Sequence, residues 1–295
     1  MNIVIGIPAY NEEKNIAKII AGISEKGYSI IVCDDGSTDL TKIISEKMGA
    51  TVITHSKNLG YGAGIRSIFQ KAKEMNFDIL VTFDADGQHR IEDIENVLKP
   101  IKEKTADIVL GSRFLKSDSK NIPKYREIGI KAITKLTNAS INEKITDSQS
   151  GFRAYNKKVL DSISPSEYGM GVSTEILIKA SKQEFKIFEV PIEVLYDGDT
   201  STHNPVSHGT SVIFSTMKFT AIEHPLKFYG IPGIILLTVG LFFFVWTIQE
   251  FTASREIITN LALIGTCATI TGMMLLITSI ILYSLVNVVR ENNSN

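Results

Sequence analysis

The sequence predicts an α/β fold, a parallel sheet with helices on both faces, followed by two C-terminal helices able to cross a membrane. Three observations carry this. Through residues 1 to about 115, short apolar runs alternate with segments of helical period, the pattern of strand–helix units in a parallel sheet. Acidic and glycine-rich motifs fall where those strands end, the edge at which such sheets bind ligands. Phe228 to Gln249 and Leu261 to Val289 carry no charge, and each exceeds the roughly 20 residues a bilayer-spanning helix needs.

The strands are expected at Ile3 to Ile7, Ser29 to Cys33, Thr51 to Thr54, Ile79 to Phe83 and Ile108 to Leu110. The helices between them are expected at Glu13 to Ser24, Thr41 to Met48, Ile65 to Met75 and Ile91 to Lys102. Further on, Val172 to Lys182 reads as a helix holding Glu175, and Lys186 to Val190 as a short strand. The expected domains are 1–210 for catalysis, 211–228 for an amphipathic interfacial helix, and 229–290 for two spans at about 229–249 and 261–289. Glu250 to Asn260 would be the polar hairpin between the spans. The plainer alternative, two buried core helices, conflicts with the lack of a polar face.

Composition narrows the function. The 31 Lys and Arg against 32 Asp and Glu disfavour a nucleic-acid partner. Two cysteines make no disulfide framework or zinc spacing, and the five histidines form no obvious cluster. The start of the chain reads as a strand rather than a cleavable signal, so the soluble part is expected in the cytosol.

Each strand end then offers chemistry. Asp84-Ala85-Asp86-Gly87-Gln88-His89 puts two carboxylates two residues apart, which in extended chain would face one side. Such a pair suits a hard divalent cation that shares oxygen ligands with substrate phosphates, and Gln88 could add an amide oxygen. The plainer reading is a polar turn. In Pro8-Ala9-Tyr10-Asn11-Glu12-Glu13, Asn11 can cap the next helix, which leaves Tyr10 unexplained. In Asp34-Asp35-Gly36-Ser37-Thr38-Asp39, Asp39 can cap, and Asp34 and Asp35 are left for a ligand donor such as a base or a ribose hydroxyl. Asn58 to Gly64 carries three alternate glycines, which could admit a phosphate or could serve loop packing. Arg113 follows the fifth strand, where its fork can hold a phosphate. The basic segment 121–142 suits either a membrane-surface helix or a solvated face, and the loop from Tyr196 to Gly209 reads as a lid.

In order along the chain, Pro8 to Glu12, Asp34 to Ser37, Asp84 to Asp86, Gly111 to Arg113, Ser150 to Arg153 and Glu189 to Ile192 resemble the motifs of family 2 glycosyltransferases. More narrowly the set is similar to the dolichyl- and polyprenyl-phosphate sugar synthases, of which dolichyl-phosphate mannose synthase is the best known. The resemblance implies a GT-A fold with a mostly parallel sheet. It implies that Pro8, Tyr10, Glu12, Cys33 and Asp35 surround the nucleotide. It places Asp84, Ala85, Asp86 and Gln88 on metal and diphosphate, with Mg²⁺ or Mn²⁺ as cofactor and Asp86 and Arg113 as the catalytic pair. It also places Arg126 and Ser150 at the acceptor phosphate.

The implied partners are a nucleotide-diphosphate sugar, a polyprenyl or dolichyl phosphate and membrane lipid, with self-association left open. The implied reaction inverts the sugar and needs no general base; Glu175 is expected in a salt bridge instead. Two departures stand out. The 196–209 loop lacks the Arg and Lys such mannose synthases tend to carry, and the spans number two, as in bacterial transferases that include glucose users. The alternatives are a transferase of the same fold acting on a glycan or another lipid, and a catalytically silent nucleotide-sugar-binding membrane module.

Overall fold

The structure is a computed structural model that describes residues 1–115, 124–141, 143–194, 221, 225–256 and 258–293, with the side chains of 124–126 and 287–293 outside that description. The chain divides into two compact units, Met1–Thr216 and Met217–Asn295. The first contains β1 (Ile3–Ala9), α1 (Ile16–Glu25), β2 (Ser29–Asp34), α2 (Thr41–Lys47), β3 (Thr51–Thr54), α3 (Tyr61–Glu74) and β4 (Ile79–Thr82). It continues with α4 (Ile94–Lys102), β5 (Ile108–Ser112), α5 (Lys124–Asn138), β6 (Arg153–Asn156), α6 (Lys157–Ser162), α7 (Val172–Lys182) and β7 (Ile187–Pro191). The second contains α8 (Ile231–Ser254) and α9 (Thr259–Asn293).

The seven strands run in the order β3-β2-β1-β4-β6-β5-β7. All neighbours are parallel except β6, which is antiparallel to both β4 and β5. The expected strands are present. The missed one is β6, because Arg153-Ala154-Tyr155-Asn156 is only four residues long and half polar. It forms a strand because both its edges are already supplied with partners.

Alternation along β1 explains the two layers. Ile5 and Ile7 pack with α1 and α4 in a core that includes Ile16, Ile20, Val97, Leu98, Val81 and Phe152. Ile16, Ile19, Ile20 and Ile23 are the buried stripe of α1, at the spacing of one helix face. Fully burying each such side chain contributes about 1.5–3 kcal/mol. Gly6 points to the opposite face, where a Cβ would come within 2.3 Å of Ile68 on α3.

Two helix starts depart from expectation. Helix α1 begins at Ile16 with no side-chain cap. Asn11 instead sits in the left-handed region at φ 56° and accepts the Thr38 N–H at 2.9 Å, tying the first turn to the second. Helix α3 begins at Tyr61, so Gly62 and Gly64 lie in its first turn. The Gly62 N–H donates to the Tyr168 carbonyl at 2.8 Å, and a Cβ there would lie 2.1 Å from the Glu167 carbonyl. The glycines therefore serve close packing of the 167–169 segment on this helix end.

Glu175 is structural, as expected. Its buried carboxylate accepts the Ser166 and Glu167 N–H groups and pairs with Lys179 at 2.7 Å.

In the second unit, α8 and α9 are long and apolar enough to cross a membrane. Leu241, Phe242, Met274 and Leu285 are exposed, which a soluble core helix would not allow. The two pack where glycines let backbones approach: a Cβ on Gly240 would lie 2.9 Å from the Thr269 nitrogen, and one on Gly272 would lie 2.9 Å from the Gly233 carbonyl. The expected lid at 196–209 lies outside the described residues, as does most of the expected interfacial helix at 211–228.

Gly62→Ala should force the 167–169 segment off α3 and destabilise the first unit by about 1–3 kcal/mol, the usual range for overpacking. Chemical denaturation checks this; an unchanged midpoint would mean that the segment yields freely.

Candidate active site

The crevice lies where β1 separates β2 from β4, since after β3 the chain crosses to the other side of β1. Open α/β sheets bind ligands at this kind of switch point. The ends of β1, β2 and β4 bring Pro8, Tyr10, Glu12, Cys33, Asp34, Asp35, Asp84, Ala85 and Asp86 to one edge.

Asp84 and Asp86 lie past the end of their strand. Strand β4 stops at Thr82, and Ala85-Asp86 form a turn completed by Gly87 at φ 74°. The turn is closed by the Gln88 N–H donating to Asp86 Oδ1 at 3.0 Å. The Asn15 amide reaches the Asp86 carbonyl at 3.4 Å. Gln88 itself is buried.

The Asp84 carboxylate is held from three sides. The Tyr61 hydroxyl donates to Oδ1 at 3.0 Å, and His89 Nε2–H donates to Oδ2 at 3.2 Å. Beneath it lies Gly151, where a Cβ would fall 2.6 and 2.7 Å from the two carboxylate oxygens. Burial alone would raise the Asp84 pKa. The hydrogen bonds from His89 and Tyr61, with the charges of His89 and Arg113, outweigh burial and hold it below the usual value. Glu12 is pushed upward, first by burial and then by Asp86, Asp39 and Asp84. The crevice thus carries surplus negative charge.

That surplus fits a hard divalent cation. Among the described residues no three His, Cys, Asp or Glu side chains close a complete protein cage. An ion of the Mg²⁺ type is ordinarily held by one or two carboxylates plus substrate phosphates. Tyr61 and His89, absent from the expected site, are the kind of outer partners that orient such ligands. The isolated five-residue step from Asp84 to His89 was the available signal for His89.

Asp35 is not left over. It is nearly buried, and it accepts from His55 Nδ1 at 2.6 Å and from the Leu59 and Gly60 N–H groups at 2.9 and 2.8 Å. It therefore ties the third loop to the second. Asp34 accepts the Ser37 N–H at 3.2 Å. Cys33 is fully buried in β2, and burial, aided by Asp35 and Asp34, pushes its thiol up to about 12. It can supply packing but no thiolate.

Arg113 spends two of its donors within the protein. Its Nε and Nη2 hold Asp147 Oδ2 and Oδ1 at 2.6 and 2.7 Å. Asp147 is fully buried, and the Arg113 charge and hydrogen bonds reverse the rise that burial would cause, keeping its carboxyl low. Asp147 lies three residues before the Ser150 to Arg153 motif, and nothing in the sequence singled it out. Ser150 is buried with no partner for its hydroxyl among the described residues. The Arg126 side chain lies outside the described residues.

Asp147→Asn should cost about 3–5 kcal/mol at neutral pH, because it breaks an ion pair whose carboxylate is fully buried. The folded carboxyl is depressed, so its contribution is complete above the unfolded value, near 3.9, and fades as pH falls through the folded one. Denaturation at pH 7 and pH 3 should therefore show the gap between the two proteins narrowing in acid; a constant gap would contradict the pairing.

Known proteins share the family and the fold of this chain. Residues 4–164 match the model of glycosyl transferase family 2. A UDP-N-acetylglucosamine–dolichyl-phosphate N-acetylglucosaminyltransferase of Methanococcus voltae is 34% identical over 72% of this chain and 91% of its own. A dolichol-phosphate mannosyltransferase of Pyrococcus furiosus is 32% identical over 65% of this chain and 56% of its own. In fold the chain is similar to glucosyl-3-phosphoglycerate synthase of Mycobacterium tuberculosis. One crystal structure of that enzyme holds Mn²⁺, UDP-glucose and phosphoglyceric acid. It has a TM-score of 0.56 and 20% identity, covering 75% of this chain and 80% of that one. With its ordered strand-end motifs, GT-A sheet and family match over residues 4–164, this chain belongs to glycosyl transferase family 2 and is a glycosyltransferase.

Proposed function

We propose that the chain transfers a hexose from a nucleotide-diphosphate sugar to a polyprenyl or dolichyl phosphate at a membrane surface. The observation that carries this is the joining, in one chain, of an acidic switch-point crevice and two helices apolar enough to span a bilayer. A lipid acceptor gives the helices a purpose. The activities for which the relatives from Methanococcus voltae and Pyrococcus furiosus are named support a dolichyl phosphate acceptor.

Pro8, Tyr10, Glu12, Cys33 and Asp35 would line the nucleotide, with Cys33 and Asp35 acting mainly by shaping its wall. Asp84, Asp86 and the Gln88 amide would hold Mg²⁺ or Mn²⁺, which supplies charge neutralisation for the departing diphosphate. A phosphate oxygen of the lipid forms the new bond to the anomeric carbon. The bond from that carbon to the nucleotide oxygen breaks, and the nucleoside diphosphate leaves with the electron pair. Attack opposite the leaving group inverts the sugar.

The lipid phosphate has its second pKa near 6, so it arrives largely ionised. No base is needed, consistent with Glu175 being consumed in structure. Arg113, steered by Asp147, would add positive charge beside the diphosphate, and Arg126 and Ser150 would meet the acceptor phosphate. Lys218, Lys227 and Arg290 flank the apolar segments, against Arg255 alone between them. This bias supports a cytosolic catalytic unit and cytosolic ends.

Membranes bearing the protein should move labelled sugar from one of GDP-mannose, UDP-glucose or UDP-N-acetylglucosamine into the organic phase when given polyprenyl phosphate and Mn²⁺. Asp86→Ala should lower kcat/KM on the order of a hundredfold or more, the usual cost of losing charge stabilisation at a leaving group. Nucleotide binding without turnover would favour the silent module. Faster transfer to a water-soluble acceptor would overturn the lipid assignment.

A further inference from the structure

We propose that Glu189 is a positioning residue for sugar transfer, acting through Asp147 to set the Arg113 guanidinium at the diphosphate side of the crevice. This rests on the reading of Arg113 given above. Glu189 belongs to a motif singled out in the sequence, yet neither the metal pair nor the nucleotide wall uses it.

Glu189 is half-buried on the edge strand β7, opposite Leu110 of β5. Its Oε2 accepts the Thr146 N–H and hydroxyl at 2.8 and 3.0 Å, and its Oε1 accepts the Asp147 N–H at 3.0 Å. Three donors from two adjacent residues thus converge on one carboxylate. The Thr146 hydroxyl also meets Ser112 Oγ at 2.7 Å, so the turn is fixed to the end of β5, one residue before Arg113.

Asp147 then accepts from Arg113 three times, from Nε, from Nη2 and from the backbone N–H at 3.3 Å. The chain then runs from Asp147 to Gly151, where a Cβ would fall 2.6 and 2.7 Å from the Asp84 carboxylate oxygens. The series runs from Glu189 through the 146–147 turn to Arg113 on one side and to the edge of the metal pair on the other. A buried carboxylate facing an arginine would by itself let the fork swing about the Asp147 side chain. Clamping the Asp147 backbone removes that freedom, and precise placement is what a preorganised charge requires. A glutamine at 189 has one acceptor oxygen for three donors and would aim its own N–H₂ at an N–H, so the clamp should loosen while the strand remains.

The test uses the full chain in lipid nanodiscs. Transfer kinetics are compared for the wild type, Glu189→Gln, Arg113→Lys and the double variant, with thermal midpoints recorded. Glu189→Gln should lower kcat about tenfold, within the usual range of coupling between residues of one network, with donor KM and thermal midpoint little changed. In the Arg113→Lys background the same change should cost less than about twofold, the mark of residues acting as a unit.

A second readout needs no turnover. In ¹⁵N-arginine-labelled protein the Arg113 Nε–H signal, assigned by its loss in Arg113→Lys, should exchange slowly in the wild type and about tenfold faster in Glu189→Gln, as local opening becomes easier. Equal losses of kcat in both backgrounds, or unchanged Nε–H exchange, would overturn the proposal. If the wild type transfers sugar to no lipid phosphate, the functional reading fails, and the exchange measurement still decides whether Glu189 positions Arg113.

Discussion

The Asp84 carboxylate, clamped between the Tyr61 hydroxyl and the His89 ring above Gly151, is the interaction on which the crevice depends. A carboxylate in a half-closed, acidic setting would be expected to protonate or swing toward water. Here two donors come from different elements, α3 and the turn after β4, so neither can move without the other. The Tyr61 hydroxyl remains a donor because burial, then Asp84 itself, pushes its pKa well above the ordinary value. The clamp fixes one carboxylate of the pair and leaves the crevice with a charge that a cation and a diphosphate can balance together.

The reversal of β6 makes the clamp possible. Its antiparallel pairing sets Thr82 of β4 opposite Arg153, and the Thr82 hydroxyl donates to the Gly151 carbonyl at 2.6 Å. That brings the 148–151 turn under the end of β4, close enough that only glycine fits beside Asp84. The turn is held by a fully buried arginine. Arg153 donates to the carbonyls of Ser150, Ser173 and Ser148 at 2.7, 2.8 and 2.7 Å. A guanidinium is suited to this because its donors fan out in one plane to several acceptors. Asp147 immediately precedes this turn, so one short segment supports Asp84 on one side and Arg113 on the other.

Much of this was legible in the sequence. Apolar runs bounded by Gly, Pro and Asp located the parallel strands, and the lack of charge located the two long apolar helices. The order of the strand-end motifs pointed to the family. What the sequence hid was which partner each polar group takes. Asp35 looked available for a ligand, but the folded chain spends it on His55 and two backbone N–H groups twenty to twenty-five residues away. Asn11 looked like a cap and became a tie between loops, because its left-handed backbone turns the side chain toward Thr38. His55 and His89 looked scattered because each serves an aspartate on a different strand end. Strand β6 was illegible because its neighbours, rather than its own residues, make it a strand. Apart from the five-residue step from Asp84 to His89, these are consequences of long-range pairing, which local pattern does not encode.

We propose that the crevice's negative charge makes nucleotide binding dependent on a divalent cation gripped by Asp84 and Asp86. Calorimetric titration of the full chain with UDP and with GDP, each with and without Mn²⁺, measures this directly. Mn²⁺ should tighten binding of the preferred nucleotide by at least about tenfold, a coupling of roughly 1.4 kcal/mol or more, and Asp86→Ala should abolish the difference. Equal nucleotide affinity with and without the cation in the wild type would contradict it.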